Sequence, residues 1–352
     1  MLVSEIPALR EYWYNIAYSS DVTNKPVGVR LLGDDYVVWR TADGTVSGAV
    51  DECPHRSARL SQGWVTNGRL TCPYHGWQFD ASGKCVEIPS NDPGLPIPPL
   101  ARTHPVLVEE RYGLVWMCVG MPRTSIPVLP EAGDDSYTFI HELMQVWDAS
   151  APRIIDNALD VSHVSWVHKD SVGSSANPRL EDVKVVRDGE SVSFSASYTV
   201  RIDEVMRKNT GITSDYSKRT TRGELVNPLM FRGVLEYHDN GLIHVLYKTA
   251  TPIDDHTTLF CQFVARNDNP DEEKQQLIRE LDGRIQSEDR ELLQSVRADF
   301  PIEATTEIHA PSDRMTIQYR RVLADLAAEH SIARPDNAWA RPLAKPPAAA
   351  KS

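Results

Sequence analysis

Short apolar runs separated by turn-forming residues fill the first third of the chain. The run Tyr36–Trp39 is followed by Asp43 and Gly44, and an Asp-Gly pair between β-rich runs is typical of a tight turn in an antiparallel sheet. Four prolines within Asn91–Pro99 cannot donate hydrogen bonds to a sheet, so they predict a stiff loop. A last strand is expected at Gly113–Val119. The pattern predicts a small all-β domain.

After Pro122 the pattern changes to longer helical and strand periods. A mostly apolar stretch predicts a helix from about Pro152 to His168, and helical spacing of apolar residues predicts further helices at Asp271–Val296 and Asp313–Leu326. Four β-rich runs lie between the first two of these helices, at Ser191–Arg201, Gly233–Tyr237, Leu242–Ala250 and Thr258–Arg266. The chain is therefore predicted to be α+β, with an antiparallel sheet flanked by helices after the all-β domain.

The changes of pattern also give the predicted domain boundaries. Residues 1–121 are assigned to the first domain and residues 122–333 to the second, and 352 residues with 41% hydrophobic composition suffice for two cores. Residues 334–352 are rich in proline and alanine without periodicity, so we expect a poorly ordered tail.

Charge and apolar run lengths exclude two classes of partner. The chain has 37 Lys and Arg against 49 Asp and Glu, a net charge of −12, so it is expected to repel nucleic acid. No apolar run approaches the roughly 20 residues that a membrane-spanning helix needs. Because Glu5, Arg10 and Glu11 interrupt the N-terminus where a signal peptide would be apolar, we expect a cytoplasmic protein.

Two short loops each carry one cysteine and one histidine. Cys53 and His55 are separated by one residue, and Cys72 and His75 by two, with sixteen residues between the pairs. Thiolate and imidazole suit zinc and iron–sulfur clusters about equally. The single spacer between Cys53 and His55 is shorter than paired zinc ligands normally have, so the spacing favours a wider centre with two irons.

A second set of polar residues lies in the predicted helix 152–168. Asn157, Asp160 and His163 recur every three residues on one side of an otherwise apolar helix, so they are expected to be buried. Buried ionisable groups must be paired, hydrogen-bonded or bound to metal. His163 and His168 are five residues apart, which points them in different directions on a regular helix. A shared metal ion therefore requires a π-bulge or a helix that ends before His168.

A carboxylate partner for these histidines is expected from the helix predicted at Asp271–Val296. Glu288 and Asp289 both fit the continuation of its apolar stripe, so periodicity alone leaves a tie between them.

The two loops carry a resemblance to a known family. Cys53–Arg56 (CPHR) and Cys72–Trp77 (CPYHGW) resemble the loops of Rieske [2Fe–2S] domains. Together with the polar helix, they resemble the oxygenase component of Rieske non-haem iron oxygenases. The resemblance implies that the two cysteines hold one iron of the cluster and His55 and His75 the other. It also implies a mononuclear Fe(II) held by three residues, His163, His168 and Asp289.

The resemblance also assigns roles outside the metal ligands. Electrons would cross from the Rieske domain of one subunit to the catalytic domain of its neighbour, which implies a homotrimer. Asp160 would bridge His75 of the partner subunit to His163. Asn157 is a weaker candidate for the same site. Electrons would come from a flavin- or ferredoxin-type reductase, since no dinucleotide-binding glycine motif follows a strand, and NAD(P)H would act only through that partner.

The length resembles a compact branch of the family that includes vanillate and dicamba O-demethylases, methylxanthine N-demethylases and saxitoxin-pathway hydroxylases. A monooxygenase that hydroxylates or demethylates a small, cyclic organic substrate is therefore expected. The alternatives are a ring cis-dihydroxylating dioxygenase and a Rieske protein that only transfers electrons. The substrate pocket is expected to include four apolar residues, Met206, Leu229, Met230 and Phe231.

Overall fold

The structure is a computed structural model that describes residues 2–303 and 305–329. The predicted tail at 334–352 lies outside the described residues. Among the described residues there are seventeen strands and five α-helices, and the strands form three antiparallel sheets. The predicted fold class, an all-β first domain and a second domain with an antiparallel sheet and helices, is confirmed.

The first domain is built on a six-stranded sheet with the order β1-β10-β9-β4-β3-β2. Its strands are β1 (Tyr14–Tyr18), β2 (Val27–Leu31), β3 (Asp34–Arg40), β4 (Val46–Val50), β9 (Pro105–Arg111) and β10 (Leu114–Cys118). Leu32, with a φ of 53°, and Gly33, with a φ of 86°, form the tight turn between β2 and β3. Most residues of β3 and all residues of β10 are buried, so these two strands lie in the core.

A smaller sheet is inserted between β4 and β9. It consists of β5 (Trp64–Thr66), β6 (Arg69–Thr71), β7 (Gln78–Phe79) and β8 (Cys85–Glu87) in sequential order. Val37, Trp39 and Leu70 share one buried cluster with Cys53 and Cys72. The small sheet therefore fixes the loops that carry the two Cys/His pairs to the main body of the domain.

The second domain has a seven-stranded sheet with the order β11-β17-β16-β15-β14-β13-β12. Its strands are β11 (Thr138–Trp147), β12 (Glu181–Asp188), β13 (Ser191–Arg201), β14 (Tyr216–Asn227), β15 (Met230–Tyr237), β16 (Ile243–Pro252) and β17 (Thr258–Arg266). The register between β11 and β17 shifts at Glu142, which indicates a β-bulge. The bulge re-aims the Glu142 side chain relative to its neighbours along the strand.

Five helices accompany this sheet, at α1 (Ala151–Leu159), α2 (Val164–Val167), α3 (Glu204–Thr210), α4 (Glu272–Leu293) and α5 (Arg314–Glu329). The prediction of a single helix from Pro152 to His168 was wrong, because α1 ends at Leu159 and only one further helical turn, α2, follows. Of the two alternatives left open by the histidine spacing, the helix indeed ends before His168.

The sequence of α4 shows how the helix begins and what it buries. Asp271 caps its N-terminus by accepting the Lys274 backbone N–H at 2.9 Å, and acidic residues follow in the first turn, where the helix dipole favours them. Its buried face combines apolar Ile278 and Leu281 with polar Asp282 and Asp289. Helix α4 thus carries charged groups into the interior of the domain.

The two domains share hydrophobic clusters. Trp116 of β10 and Tyr247 and Phe263 of the large sheet belong to one cluster, and the backbone N–H of Leu32 donates to the Pro252 carbonyl at 2.8 Å. No helix among the described residues is long and apolar enough to span a bilayer.

Candidate active site

The first candidate site is formed by the loops after β4 and β6. In the first loop, the Cys53 backbone N–H donates to the Ala58 carbonyl at 2.9 Å; in the second, the Cys72 N–H donates to the Trp77 carbonyl at 2.9 Å. Gly76 closes the second loop with a φ of 70°, a conformation that suits glycine. Each loop thereby folds back over its own cysteine.

The structure brings the four predicted cluster residues together. Cys53 and Cys72 are both buried, and their thiols lie within hydrogen-bonding reach of each other. The rings of His55 and His75 lie 4.6 Å apart between centroids, and the indole of Trp77 stacks on His55 at 4.5 Å. Two thiols therefore lie beneath two imidazoles, with His75 exposed at the surface.

This donor set fits a Rieske cluster. Burial raises the pKa of Cys53 to about 12, so the protein alone does not stabilise the thiolate of Cys53. Nδ1 of His55 is buried and has no hydrogen-bond partner among the described residues. Two irons bound by two thiolates and two imidazole nitrogens would satisfy both features.

The second candidate site begins where α1 ends. Asp160 follows the helix and turns the chain, because its Oδ1 accepts the Ser162 backbone N–H at 2.7 Å and the Ser162 hydroxyl at 2.5 Å. His163 and His168 then flank the single turn of α2. The break in the helix removes the divergence that five-residue spacing would impose on a regular helix.

His163, His168 and Asp289 meet at one point in the interior. His163 Nε2 lies 3.4 Å and His168 Nε2 3.3 Å from Asp289 Oδ1, and the three potential ligand atoms all lie within 4.8 Å of one another. Adjacent ligands of an octahedral ion, at bond lengths of about 2.1 Å, are about 3 Å apart. Asn157 is also here, since its Nδ2 donates to Asp289 Oδ1 at 3.3 Å.

Unsatisfied atoms and charges support a metal ion at this point. The Asp289 side chain is 1% exposed, and its Oδ2 has no hydrogen-bond partner among the described residues. Burial opposes ionisation of Asp289, but the neighbouring His163, His168 and Lys248 hold its pKa well below the usual range. Lys248 Nζ lies 3.6 Å from that Oδ2. Two imidazoles and an ionised carboxylate fit Fe(II).

The two carboxylates that periodicity left tied have different surroundings. Asp289 lies between the two histidines, whereas Glu288 Oε2 contacts His168 Nδ1 at 2.9 Å and accepts the Ser171 hydroxyl at 2.8 Å. A carboxylate on the far nitrogen of a ligating histidine fixes its tautomer and its ring orientation. Glu288 is therefore placed to position His168.

This arrangement gives a prediction for Glu288→Ala. The variant is expected to keep its cluster but to bind mononuclear iron about 10- to 100-fold more weakly, because His168 loses its orienting partner. Iron retention against a graded series of chelator concentrations, with sulfide content measured in parallel, checks the result. Glu291→Ala on the exposed side of the same helix is the matched control. Equal iron retention in both variants would contradict the role of Glu288.

A cavity with about 810 Å³ of empty space, including its mouth, adjoins the second site. His163 and His168 line one part of it, and Met206 and Phe231 are among its apolar lining residues. The structure does not bring the other two predicted pocket residues to this cavity. Leu229 packs in the main core, and Met230 packs in the cluster shared with Trp116 of the first domain.

Several polar residues that line the cavity were not predicted from the sequence, namely Lys248, His244, Gln262, Asp282 and Gln286. Two signals were present in the sequence. His244 and Lys248 are four residues apart in an apolar strand and so share a face. Asp282, Gln286 and Asp289 follow at spacings of four and three, which is one face of a helix.

Comparison with known proteins gives a family match for each part of the chain. Residues 12–105 match the model of the Rieske [2Fe-2S] domain, and residues 147–329 match the vanillate O-demethylase oxygenase C-terminal domain. The methylxanthine N1-demethylase NdmA of Pseudomonas putida is 30% identical over 332 residues, covering 92% of this chain and 90% of that protein. The oxygenase component of dicamba O-demethylase from Stenotrophomonas maltophilia is 36% identical over about half of each chain, 52% and 54%.

Solved structures show the same fold. A structure of NdmA from Pseudomonas putida CBB5 superposes with a TM-score of 0.79 at 28% identity and covers 93% of both chains. Dicamba monooxygenase bound to dicamba has a TM-score of 0.78 at 22% identity, covering 92% of this chain and 98% of that one. The matches span both domains, and the chain belongs to the Rieske non-haem iron oxygenases, as an oxygenase component with a vanillate O-demethylase-type catalytic domain.

Proposed function

We propose that this chain is a monooxygenase that hydroxylates, or removes a methyl group from, a small cyclic substrate bound in the cavity beside His163 and His168. The observation that carries the proposal is the juxtaposition of the two histidines and Asp289 with a largely apolar cavity. A protein that only transferred electrons would need the Rieske domain alone. Relatives that are named for the demethylation of methylxanthines and of dicamba support a ring-sized substrate.

The roles of the residues follow from their positions. Cys53, His55, Cys72 and His75 would hold the [2Fe–2S] cluster, and a second set, His163, His168 and Asp289, the mononuclear iron. When bound, the two centres supply single electrons and the activation of dioxygen. The protein holds the ligands in place, and the apolar walls keep water away from the substrate.

The proposal includes partners that the chain needs for turnover. Electrons would come from a separate flavin- or ferredoxin-type reductase in the same compartment, which we take to be the cytoplasm. A homotrimer is supported by two exposed aromatic side chains, Tyr74 beside His75 and Trp166 beside His163, which are 63% and 59% exposed. Exposed aromatic residues next to both centres suit an interface between copies of the chain.

Metal and product analysis test the function. Protein purified without oxygen should contain about three irons and two acid-labile sulfides per chain, with a Rieske-type EPR signal after dithionite reduction. With a surrogate reductase and ¹⁸O₂, a productive substrate should gain one labelled hydroxyl, or lose a methyl group as formaldehyde.

Three outcomes would contradict the proposal. Zinc without sulfide would exclude a Rieske cluster. Two irons after anaerobic reconstitution with Fe(II) would indicate an electron-transfer protein. Two labelled oxygen atoms in a cis-diol would identify a ring dihydroxylase.

A further inference from the structure

One end of the cavity carries buried polar side chains that neither metal site uses. His244, Gln262, Asp282 and Gln286 all line the cavity, and each is less than 9% exposed. We call these four residues the polar end. Burial of polar groups costs free energy unless they find partners, so this group requires an explanation.

The polar end lies opposite the candidate iron ligands. Helix α4 carries Asp282 and Asp289 seven residues apart, which is about 10 Å along its axis. Strand β16 carries His244 and Lys248 four residues apart, about 13 Å along the strand. His244 Nε2 lies 3.2 Å from Asp282 Oδ2, and Lys248 Nζ lies 3.6 Å from Asp289 Oδ2. The two pairs mark the two ends of one space.

The walls between these ends are apolar. Leu246 of β16 lies between His244 and Lys248, and Leu281 and Ile285 of α4 accompany Asp282; all three apolar residues line the cavity. A space of this length with apolar walls matches a single ring or a pair of fused rings whose substituents point to opposite ends.

Four buried atoms of the polar end have no hydrogen-bond partner among the described residues. Two are the amide oxygens Oε1 of Gln262 and Oε1 of Gln286; the other two, Oδ2 of Asp282 and Nε2 of His244, face each other at 3.2 Å. Gln262 cannot offer its amide nitrogen freely, because Nε2 donates to Glu142 Oε2 at 2.7 Å. Asn209 adds one unpartnered donor, Nδ2, to the same cavity. Acceptors that converge in this way are suited to a ligand that donates hydrogen bonds.

A metal ion is a poorer match for the same residues. Glu142, His244 and Asp282 have ligand atoms within 4.8 Å of one another, but Glu142 does not line the cavity, and one of its two oxygens, Oε2, accepts from Gln262. Burial raises the pKa of Glu142 well above its usual range, which favours the neutral carboxyl. A metal ligand must be deprotonated, so Glu142 is a poor one.

We propose that the polar end binds an N–H donor group of the substrate, either a primary amine or a primary amide, because such a group offers at least two hydrogens to these acceptors, whereas a hydroxyl group offers one. The ring then lies between Leu246 and Ile285, and the carbon to be oxidised is held at the end with His163 and His168. The inference rests on the proposed function and narrows the substrate class to ring compounds that carry an amine or amide group. Asp282 and Gln286 are the residues that determine this preference.

Binding of matched probes to the holoprotein tests the inference. Four benzene derivatives carry a methoxy group at one end of the ring and differ in the group at the opposite end, which is an aminomethyl, amide, carboxylate or methyl group. They are 4-methoxybenzylamine, 4-methoxybenzamide, 4-methoxybenzoate and 4-methylanisole. Calorimetric titration should show the amine and the amide binding at least about 10-fold more tightly than the other two, because only they satisfy buried acceptors.

Two variants locate the preference. Gln286→Met keeps the length of the side chain without its acceptor, and it should weaken binding of both nitrogen probes about 10-fold. Asp282→Asn removes the charge and should weaken binding of the amine more than of the amide. Glu291→Gln on the exposed side of α4 should change neither. An unaltered mononuclear iron content, together with an unaltered cluster spectrum, shows that both domains of each variant keep their fold.

Several results would overturn the inference. These are equal affinity for all four probes, preference for the benzoate, no measurable binding of the nitrogen probes, or variants with unchanged selectivity. If the unaltered protein holds four metal ions per chain instead of three, and Asp282→Asn loses one of them, the polar end would be a second metal site. Iron and sulfide content and reductase-dependent oxygen uptake are measured separately. The donor preference can therefore fail while the oxygenase function stands.

Discussion

Replacement of Asp289 by alanine is expected to abolish turnover while leaving the Rieske cluster intact. Asp289 is the single carboxylate that contacts both His163 and His168 among the described residues, and without it two imidazoles would have to hold the ion alone. Mononuclear iron should fall from about one per chain to background, with sulfide unchanged at about two. The reduced cluster should keep its EPR signal, since Cys53 and Cys72 lie in the other domain.

A second variant, Asp289→Asn, separates the effect of losing the negative charge from the effect of losing the side-chain volume. Asparagine keeps the volume and one carbonyl oxygen, but it removes the charge that balances a divalent ion, so it should also fail to retain iron at micromolar free metal. Glu291→Ala serves as the control on the same helix. Full activity or full iron content in Asp289→Ala would show that another carboxylate completes the site, and Glu288 would then be the first residue to test.

Strands with a plain apolar pattern were predicted best. The predicted β-runs Ser191–Arg201 and Thr258–Arg266 coincide with β13 and β17. In contrast, β14 was not predicted, because Lys218, Arg219 and Arg222 interrupt its local pattern. Arg219 is nevertheless buried, with its guanidinium donating to the hydroxyls of Tyr198 and Tyr237 on the adjacent strands. Those partners are distant in sequence, so no local pattern reveals that this arginine lies inside.

The candidate iron site was only partly predictable for a related reason. Neighbouring residues on a helix differ by about 100° in direction, so Glu288 and Asp289 both flank the apolar stripe of α4. Only the packing of α4 against α2 separates them, with Asp289 between both histidines and Glu288 on the far side of His168. The position of Lys248 beside the candidate iron ligands was not predicted, because its carboxylate partner, Asp289, lies on α4, two elements later in the chain.

Asp160→Asn is expected to keep both metal centres but to slow turnover severely. Asn has one oxygen that can accept the hydrogen bonds from Ser162, so the turn that presents His163 should persist. The variant loses the negative charge next to His163 and one acceptor for an imidazole N–H. If Asp160 joins a cluster histidine of a neighbouring subunit to His163, turnover should fall about 10- to 100-fold. Iron and sulfide content should stay the same.

Single-turnover kinetics distinguish slow electron delivery from a damaged site. The chemically reduced Asp160→Asn protein, mixed with oxygen and substrate, should reoxidise its cluster far more slowly than the unaltered chain, while substrate affinity is unchanged. Asp170→Asn removes an exposed charge from the same segment and should reoxidise normally. Normal reoxidation in Asp160→Asn would refute the bridging role. Loss of mononuclear iron would instead make Asp160 a residue that supports the ligand set, since its carboxylate would then be needed to hold His163 in place.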